Sequence, residues 1–273
     1  MSNETFTADW LGLREAFDAA ARNAAAPALK LDARLTAIRP PAGTPWRVID
    51  LACGTGSTQR WLAPRLGGAQ QWLMVDHDEA LLQRIPPAVE GVAIVRQRLD
   101  LMASLETLPW PSAHLVTASA LLDLVGVAWL HRLVGLCGPA RVPLLLTLSV
   151  DGRHHWTPED PMDAEVGALF AAHQRRDKGF GPALGAQAVT ALLPNLKNAG
   201  YQVATARSDW RVNGQRQATD RQLLESLIDG MADAAVEQDP DQAASVRGWQ
   251  RRRRALVAQT RLRVGHVDLL AWP

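Results

Sequence analysis

Apolar residues fall along this chain in two rhythms. Residues 8–22 place Trp10, Leu13, Phe17 and Ala20 at helical spacing with polar residues between, which predicts an amphipathic helix. A short helix is predicted over 28–38, and Arg39-Pro40-Pro41-Ala42-Gly43-Thr44-Pro45 breaks the pattern. From residue 46 the rhythm changes to short continuous apolar runs separated by helical stretches. The runs at 46–51, 71–76, 92–97, 114–118 and 142–148 predict five strands, with helices near 57–66, 78–84 and 127–137. Such runs suit a parallel sheet covered on both faces. Repeated β-α units with right-handed crossovers give a doubly wound sheet.

The alternation then loosens. Residues 151–160 read as a polar loop carrying His154 and His155, and 161–176 as a helix stopped by Gly179-Phe180-Gly181-Pro182. A helix over 185–198, a strand over 201–206, helices near 219–236 and 242–258, and a closing strand over 264–272 follow. The expected fold is α/β: a Rossmann-like, doubly wound, mostly parallel seven-stranded sheet in a single domain spanning 1–273. A helical cap at 1–40 and insertions at 151–180 and 219–258 are expected to cover the ligand crevice.

Composition narrows the class. At 273 residues and 47% hydrophobic, the chain can bury a full core. A net charge of +1 creates no global field for nucleic acid or an anionic membrane. No apolar run has the roughly 18 residues of a membrane span, and Met1 to Asp9 has no signal-peptide pattern. Cys53 and Cys137 are the only cysteines, and Cys53 lies in a glycine loop. A disulfide is therefore not expected, and a reducing, cytoplasmic setting is.

The candidate chemistry centres on Val48-Ile49-Asp50-Leu51-Ala52-Cys53-Gly54-Thr55-Gly56-Ser57-Thr58. A buried strand there ends in an acid, a tight Gly-x-Gly turn and a helix N-terminus. The glycines let backbone approach a ligand where a Cβ would block it. Asp76 follows at the end of strand two, where a carboxylate accepts from both ribose hydroxyls of a dinucleotide. A nicotinamide cofactor is thus one candidate. Gln59, however, stands where its third glycine belongs, and the Lys-Ser/Thr of a P-loop is missing. Asp100 follows strand three. Acids at 50, 76 and 100 around one crevice repel a pyrophosphate and suit a ligand with a cationic head, a ribose and an amine-bearing base. The alternative for Asp50 is a cap on a helix or turn.

On these motifs, with Leu99-Asp100-Leu101 and Thr117-Ala118-Ser119-Ala120-Leu121-Leu122-Asp123-Leu124, the chain resembles the class I S-adenosylmethionine-dependent methyltransferases from about 46 to 150. The resemblance implies S-adenosyl-L-methionine as cofactor and S-adenosyl-L-homocysteine as product. It implies that Asp50, Ala52, Gly54 and Gly56 form the cofactor loop, with the two glycines under the methionine part. Asp76 would hold the ribose, and His77 would flank the adenine. Asp100 would accept from its amino group, Leu101 would donate its N–H, and Ser119 would lie beside the methionine moiety.

The acceptor side is read from isolated signals. Asp123 interrupts an apolar run where many family members face the methyl group; it is a catalytic candidate, or it N-caps the next helix. His173 is a second candidate, or a satisfied core histidine. Trp156 and Trp210 follow strand ends and are candidates to stack on a substrate. Arg176, in the run Arg175 to Phe180, either ends a solvated helix or belongs to a lid over an acidic substrate. His154 and His155 lack the spacing of a metal site, and no metal is expected. The expected activity is methyl transfer to an N, O, S or C atom of a small molecule in an enclosed pocket, with no membrane or nucleic-acid partner; a homo-oligomer is left open. The alternatives are an RNA or protein methyltransferase docking through the Arg251–Arg254 helix, and a cofactor-binding protein without catalysis.

Overall fold

The computed structural model describes residues 7–177 and 181–273. The chain opens with helices α1 (Ala8–Ala25) and α2 (Leu31–Ala37). Strand β1 (Trp46–Leu51), helix α3 (Ser57–Leu66), strand β2 (Gln70–Asp76), helix α4 (Glu79–Gln83) and strand β3 (Val92–Arg98) follow. Next come β4 (Leu115–Ser119), α5 (Val127–Ala140) and β5 (Leu144–Thr157). The remainder is α6 (Asp163–Gln174), α7 (Ala188–Asn198), β6 (Gln202–Arg207), β7 (Trp210–Asn213), α8 (Ala218–Gln238), α9 (Ala243–Ala255) and β8 (Arg261–Trp272). The helix stop expected at Gly179 and Phe180 lies outside the described residues.

The sheet has eight strands in the order β3-β2-β1-β4-β5-β8-β6, with β7 paired to β8. Neighbours from β3 to β5 run parallel, whereas β8 is antiparallel to β5, β6 and β7. Alternation within β1 accounts for the two layers. Ile49 and Leu51 join one buried cluster with Leu130, Leu133, Leu192 and Leu196 of α5 and α7. Trp46 and Val48 join the opposite one with Leu31, Leu35, Leu62 and Leu66 of α2 and α3. Both faces are dry, so the strands read as unbroken apolar runs. No helix among the described residues is long and apolar enough to cross a membrane.

Two departures from the sequence reading lie beyond this parallel core. Residues 151–157 are strand: β5 runs on to Thr157 and pairs with β8 from His154↔Val264 to Thr157↔Arg261. This stretch looked like a loop because its outward side is solvated and polar; Trp156, facing inward, is 4% exposed. Strand β7, only four residues long, was not predicted, and it makes the sheet eight-stranded rather than seven-stranded. The inserted helices α6, α8 and α9, expected to cover the crevice along with the N-terminal cap, build a third cluster. Val166 of α6, Leu223 and Ile228 of α8, and Val246 and Trp249 of α9 pack with Trp156, Trp210 and Leu262.

Candidate functional site

Strand order reverses between β1 and β4, and at such a switch point α/β sheets open a crevice at the strands' carboxyl ends. The backbone there is unusual. Ala52 after β1 and Ala120 after β4 have φ of 49° and 51°, and Gly54 and Gly56 have φ of 54° and 83°. Left-handed alanines are costly and persist only where surrounding structure holds them. Asp76 holds this loop: its Oδ2 accepts from Gly54 N–H at 2.8 Å and its Oδ1 from Asp78 N–H at 3.0 Å. A Cβ on Gly54 would come within 2.9 Å of Leu11 Cδ1.

A cavity of about 410 Å³ occupies the crevice, within the range of small-molecule sites. Its floor is Ala52 to Thr55, with Ser57 and Thr58 at the start of α3. One wall carries Asp76, His77, Asp78 and Leu81, and the next carries Arg98 to Met102. Ser119, Ala120, Leu121 and Leu124 form the far side, and Leu11, Arg14 and Asp18 of α1 close the top. Asp100 Oδ1 accepts from Met102 N–H at 2.8 Å. Asp76, Asp78 and Asp100, at or just past the ends of β2 and β3, therefore line the cavity together with Leu81, Leu99, Leu101 and Met102, and Asp78 Oδ1 also caps α4 by accepting from Ala80 N–H at 2.8 Å. Among the described residues, no three His, Cys, Asp or Glu side chains cluster as metal ligands would.

No family model and no curated protein sequence matches this chain. Solved structures do. A cyclopropane-fatty-acyl-phospholipid synthase-like protein from Lactobacillus casei ATCC 334 superposes over 98% of this chain and 94% of its own, with a TM-score of 0.54 and 13% identity. A SAM-dependent methyltransferase from Thiobacillus denitrificans, in complex with S-adenosyl-L-homocysteine, aligns over 98% and 99% with a TM-score of 0.43 and 15% identity. The fold is that of the class I S-adenosylmethionine-dependent methyltransferases.

Within this methyltransferase fold, Ala52, Gly54, Asp76, His77, Asp100, Leu101 and Ser119 come together around the one cavity. Asp50 does not reach the rim. It is 0% exposed beneath the loop, accepts from Thr117 Oγ1 at 2.6 Å, and leaves Oδ2 without a partner. Burial pushes its pKa up to about 7 against the opposing pull of that hydrogen bond and of Arg22. The acids lining the crevice are thus Asp76, Asp78 and Asp100 at the strand ends, with Asp18 of α1, and not Asp50. Gly56 is the left-handed N-cap of α3, and a Cβ there would meet Met74 and Ile85 below the loop.

The acceptor-side candidates are placed elsewhere. Trp156, His173, Arg176 and Trp210 do not line the cavity. Trp156 stacks edge-on against Trp249, and Trp210 donates to Asp18 Oδ1 at 3.0 Å behind the cavity's α1 wall. His173 Nε2 lies 3.2 Å from Glu237, which also takes Arg176 at 2.7 Å, so this cluster ties α6 to α8. Asp123 sits in the turn Leu122–Leu124, behind Leu121 and Leu124; its Oδ1 is buried without a partner, and burial pushes its pKa up to about 6. It does not cap α5, whose N-cap is Gly126. The Arg251–Arg254 helix is not a free basic surface: Arg252 pairs with Asp160, Arg253 with Asp163, and Arg254 with Glu225. No side chain from 151–177 or 219–258 lines the cavity.

The cap expected at 1–40 supplies Leu11, Arg14 and Asp18 of α1 to the cavity; sequence reasoning missed the polar side chains it uses. Arg14, Asp18 and Arg22 recur at four-residue intervals, a polar stripe beside the apolar one. Arg14 Nε pairs with Asp18 at 3.0 Å. Arg22, 1% exposed, donates to Ser119 Oγ at 2.7 Å and Thr147 Oγ1 at 3.3 Å, while its Nη1 has no partner. Burial lowers its pKa, opposed by the nearby charges of Asp18, Asp268 and Asp50. The signal was the spacing, which places all three polar groups on one helix face.

Proposed function

We propose that this chain is an S-adenosylmethionine-dependent methyltransferase acting on a small molecule held beneath α1. The observation that carries the reading is the single cavity joining the Gly54 loop, Asp76, Asp100 and Ser119 under the α1 side chains. The residues fit the cofactor. The loop brings backbone to the cavity floor, two carboxylates stand at adjacent strand ends, and apolar side chains line the cavity with them. When bound, the cofactor supplies a methyl group on a cationic sulfur. Asp76 and Asp100 accept from hydroxyl and amino groups, and Leu81, Leu99, Leu101 and Met102 exclude water from a flat base. Leu11, Arg14 and Asp18 close the opposite side, which favours a metabolite over a polymer. Holding donor and acceptor aligned in so enclosed a space supplies much of the rate of an in-line transfer.

Calorimetric titration with S-adenosyl-L-homocysteine, followed by transfer of labelled methyl groups into a metabolite extract, tests the proposal. One-site binding and a labelled small molecule are expected. Absence of binding removes the cofactor assignment. Label appearing only in RNA or protein removes the small-molecule assignment.

A further inference from the structure

The outward face of β5, β8 and β7, beyond the parallel core, carries a second cavity: an open groove of about 940 Å³ that shares no residue with the first. Two cross-strand rows form its floor. The register sets His155, Arg263 and Arg211 opposite one another, and Thr157, Arg261 and Asn213 in the next row. The residues between these rows, Trp156, Leu262 and Val212, point the other way and are buried. Arg216, in the turn after β7, adds another guanidinium to the lining. Arg211, Arg216 and Arg261 are exposed and have no side-chain partner among the described residues. Arg263 Nε makes no hydrogen bond; its neighbour Asp209 Oδ2 is 3.8 Å away. The acids of the groove do not balance these charges, because Asp160 is taken by Arg252 at 2.6 Å and Asp163 by Arg253 at 3.0 Å. Only Glu159 among the lining acids stays uncommitted.

Like charges directly opposite on a sheet repel, and Arg211 faces Arg263. An anion lying between them relieves the repulsion, and guanidinium forks match phosphate oxygens two at a time. We propose that this groove binds a small ligand bearing a diphosphate or comparably charged phosphate group, at a site separate from the methyltransferase cavity. A nucleic acid fits less well. The groove's tryptophan turns into the core, leaving no indole platform for bases, and the whole chain carries a net charge of only +1.

The test uses the full chain at low chloride, with pyrophosphate as probe and a short single-stranded RNA as a second arm, read by calorimetry and thermal unfolding. Pyrophosphate is expected to bind and to raise the Tm. Arg211→Gln and Arg261→Gln should each weaken that binding about tenfold or more through loss of a charge-assisted contact, and unliganded Arg211→Gln should melt at or above the wild type because the opposed charge is gone. If a strand variant melts low, Arg216→Gln, outside the ladder, decides the matter by the same loss of affinity. No pyrophosphate binding, undiminished binding by these variants, or RNA binding without pyrophosphate binding overturns the proposal.

Discussion

Asp76 and Asp100 occupy equivalent strand ends but do different work. Asp76 is 4% exposed and holds Gly54 and Asp78 by their backbone amides, so it shapes the loop as well as facing the cavity. Asp100 is exposed and spends one oxygen on Met102. Asp100→Ala should therefore weaken S-adenosyl-L-homocysteine about tenfold with an unchanged Tm, as for one lost charge-assisted hydrogen bond. Asp76→Ala should lose more affinity and also lower the Tm, because the buried Gly54 amide and the half-buried Asp78 amide lose their acceptor. Calorimetry with thermal unfolding separates the two; equal effects on both measures would remove the loop-holding role. Asp123 permits a pH test. Its folded pKa, about 6, lies above the ordinary value near 3.9. A raised carboxyl stabilises the fold when protonated, and that contribution is lost as pH rises through about 6. Asp123→Asn should accordingly gain Tm relative to wild type at pH 8 but not at pH 4, by at most about 3 kcal/mol at 1.36 kcal/mol per pKa unit. A gain independent of pH would mean that folding does not raise the Asp123 pKa.

At the scale of elements, β1 to β5 and the helices between them were legible because each strand is buried on both faces. Such strands write themselves as apolar runs whatever the rest of the chain does. The end of β5 and the whole of β7 were not. Their outward positions (His155, Thr157, Arg211 and Asn213) alternate with inward Trp156 and Val212, and two inward residues are too few to separate a strand from a loop. Within the site, the glycine loop and the acids at 76 and 100 were legible from spacing. Asp50 was misplaced because strand position alone does not distinguish a side chain at the rim from one beneath it. Helix α1 was recognised as a helix, but its buried stripe was not, since a polar helix face is ordinarily solvated. Arg22 joins that stripe to Ser119 and Thr147 through neutral oxygens. Its cation also faces the buried acids Asp18, Asp268 and Asp50, and removing one partner from a buried set of charges leaves the others uncompensated. Arg22→Met should thus lower the Tm as well as lose cofactor affinity about tenfold and expose α1 to limited proteolysis. Unchanged affinity would reduce Arg22 to a packing role.

Across the whole molecule, the buried clusters divide the labour. Two sandwich the parallel strands and set the crevice; the third joins α6, α8 and α9 to the inward face of β5, β7 and β8. Trp249 centres this third cluster. It is 0% exposed, donates to Asp163 Oδ1 at 2.8 Å, and lies edge-on to Trp156 at 5.9 Å. The guanidinium of Arg253 covers the other indole at 4.6 Å. Trp249→Ala removes one of the cluster's three buried tryptophans and leaves Asp163 short of a donor, at a cost of about 3–5 kcal/mol. None of these side chains lines the cavity, so the loss should fall on stability alone. Below the lowered Tm, the variant should bind S-adenosyl-L-homocysteine as the wild type does, whereas Leu11→Ala, which opens the cover over Gly54, should do the reverse. Measuring Tm and affinity for the pair distinguishes a scaffold from a lid. If Trp249→Ala weakened binding at a temperature where it is fully folded, the α6–α8–α9 cluster would have to act on the crevice through α1, whose Asp18 receives the Trp210 indole at 3.0 Å.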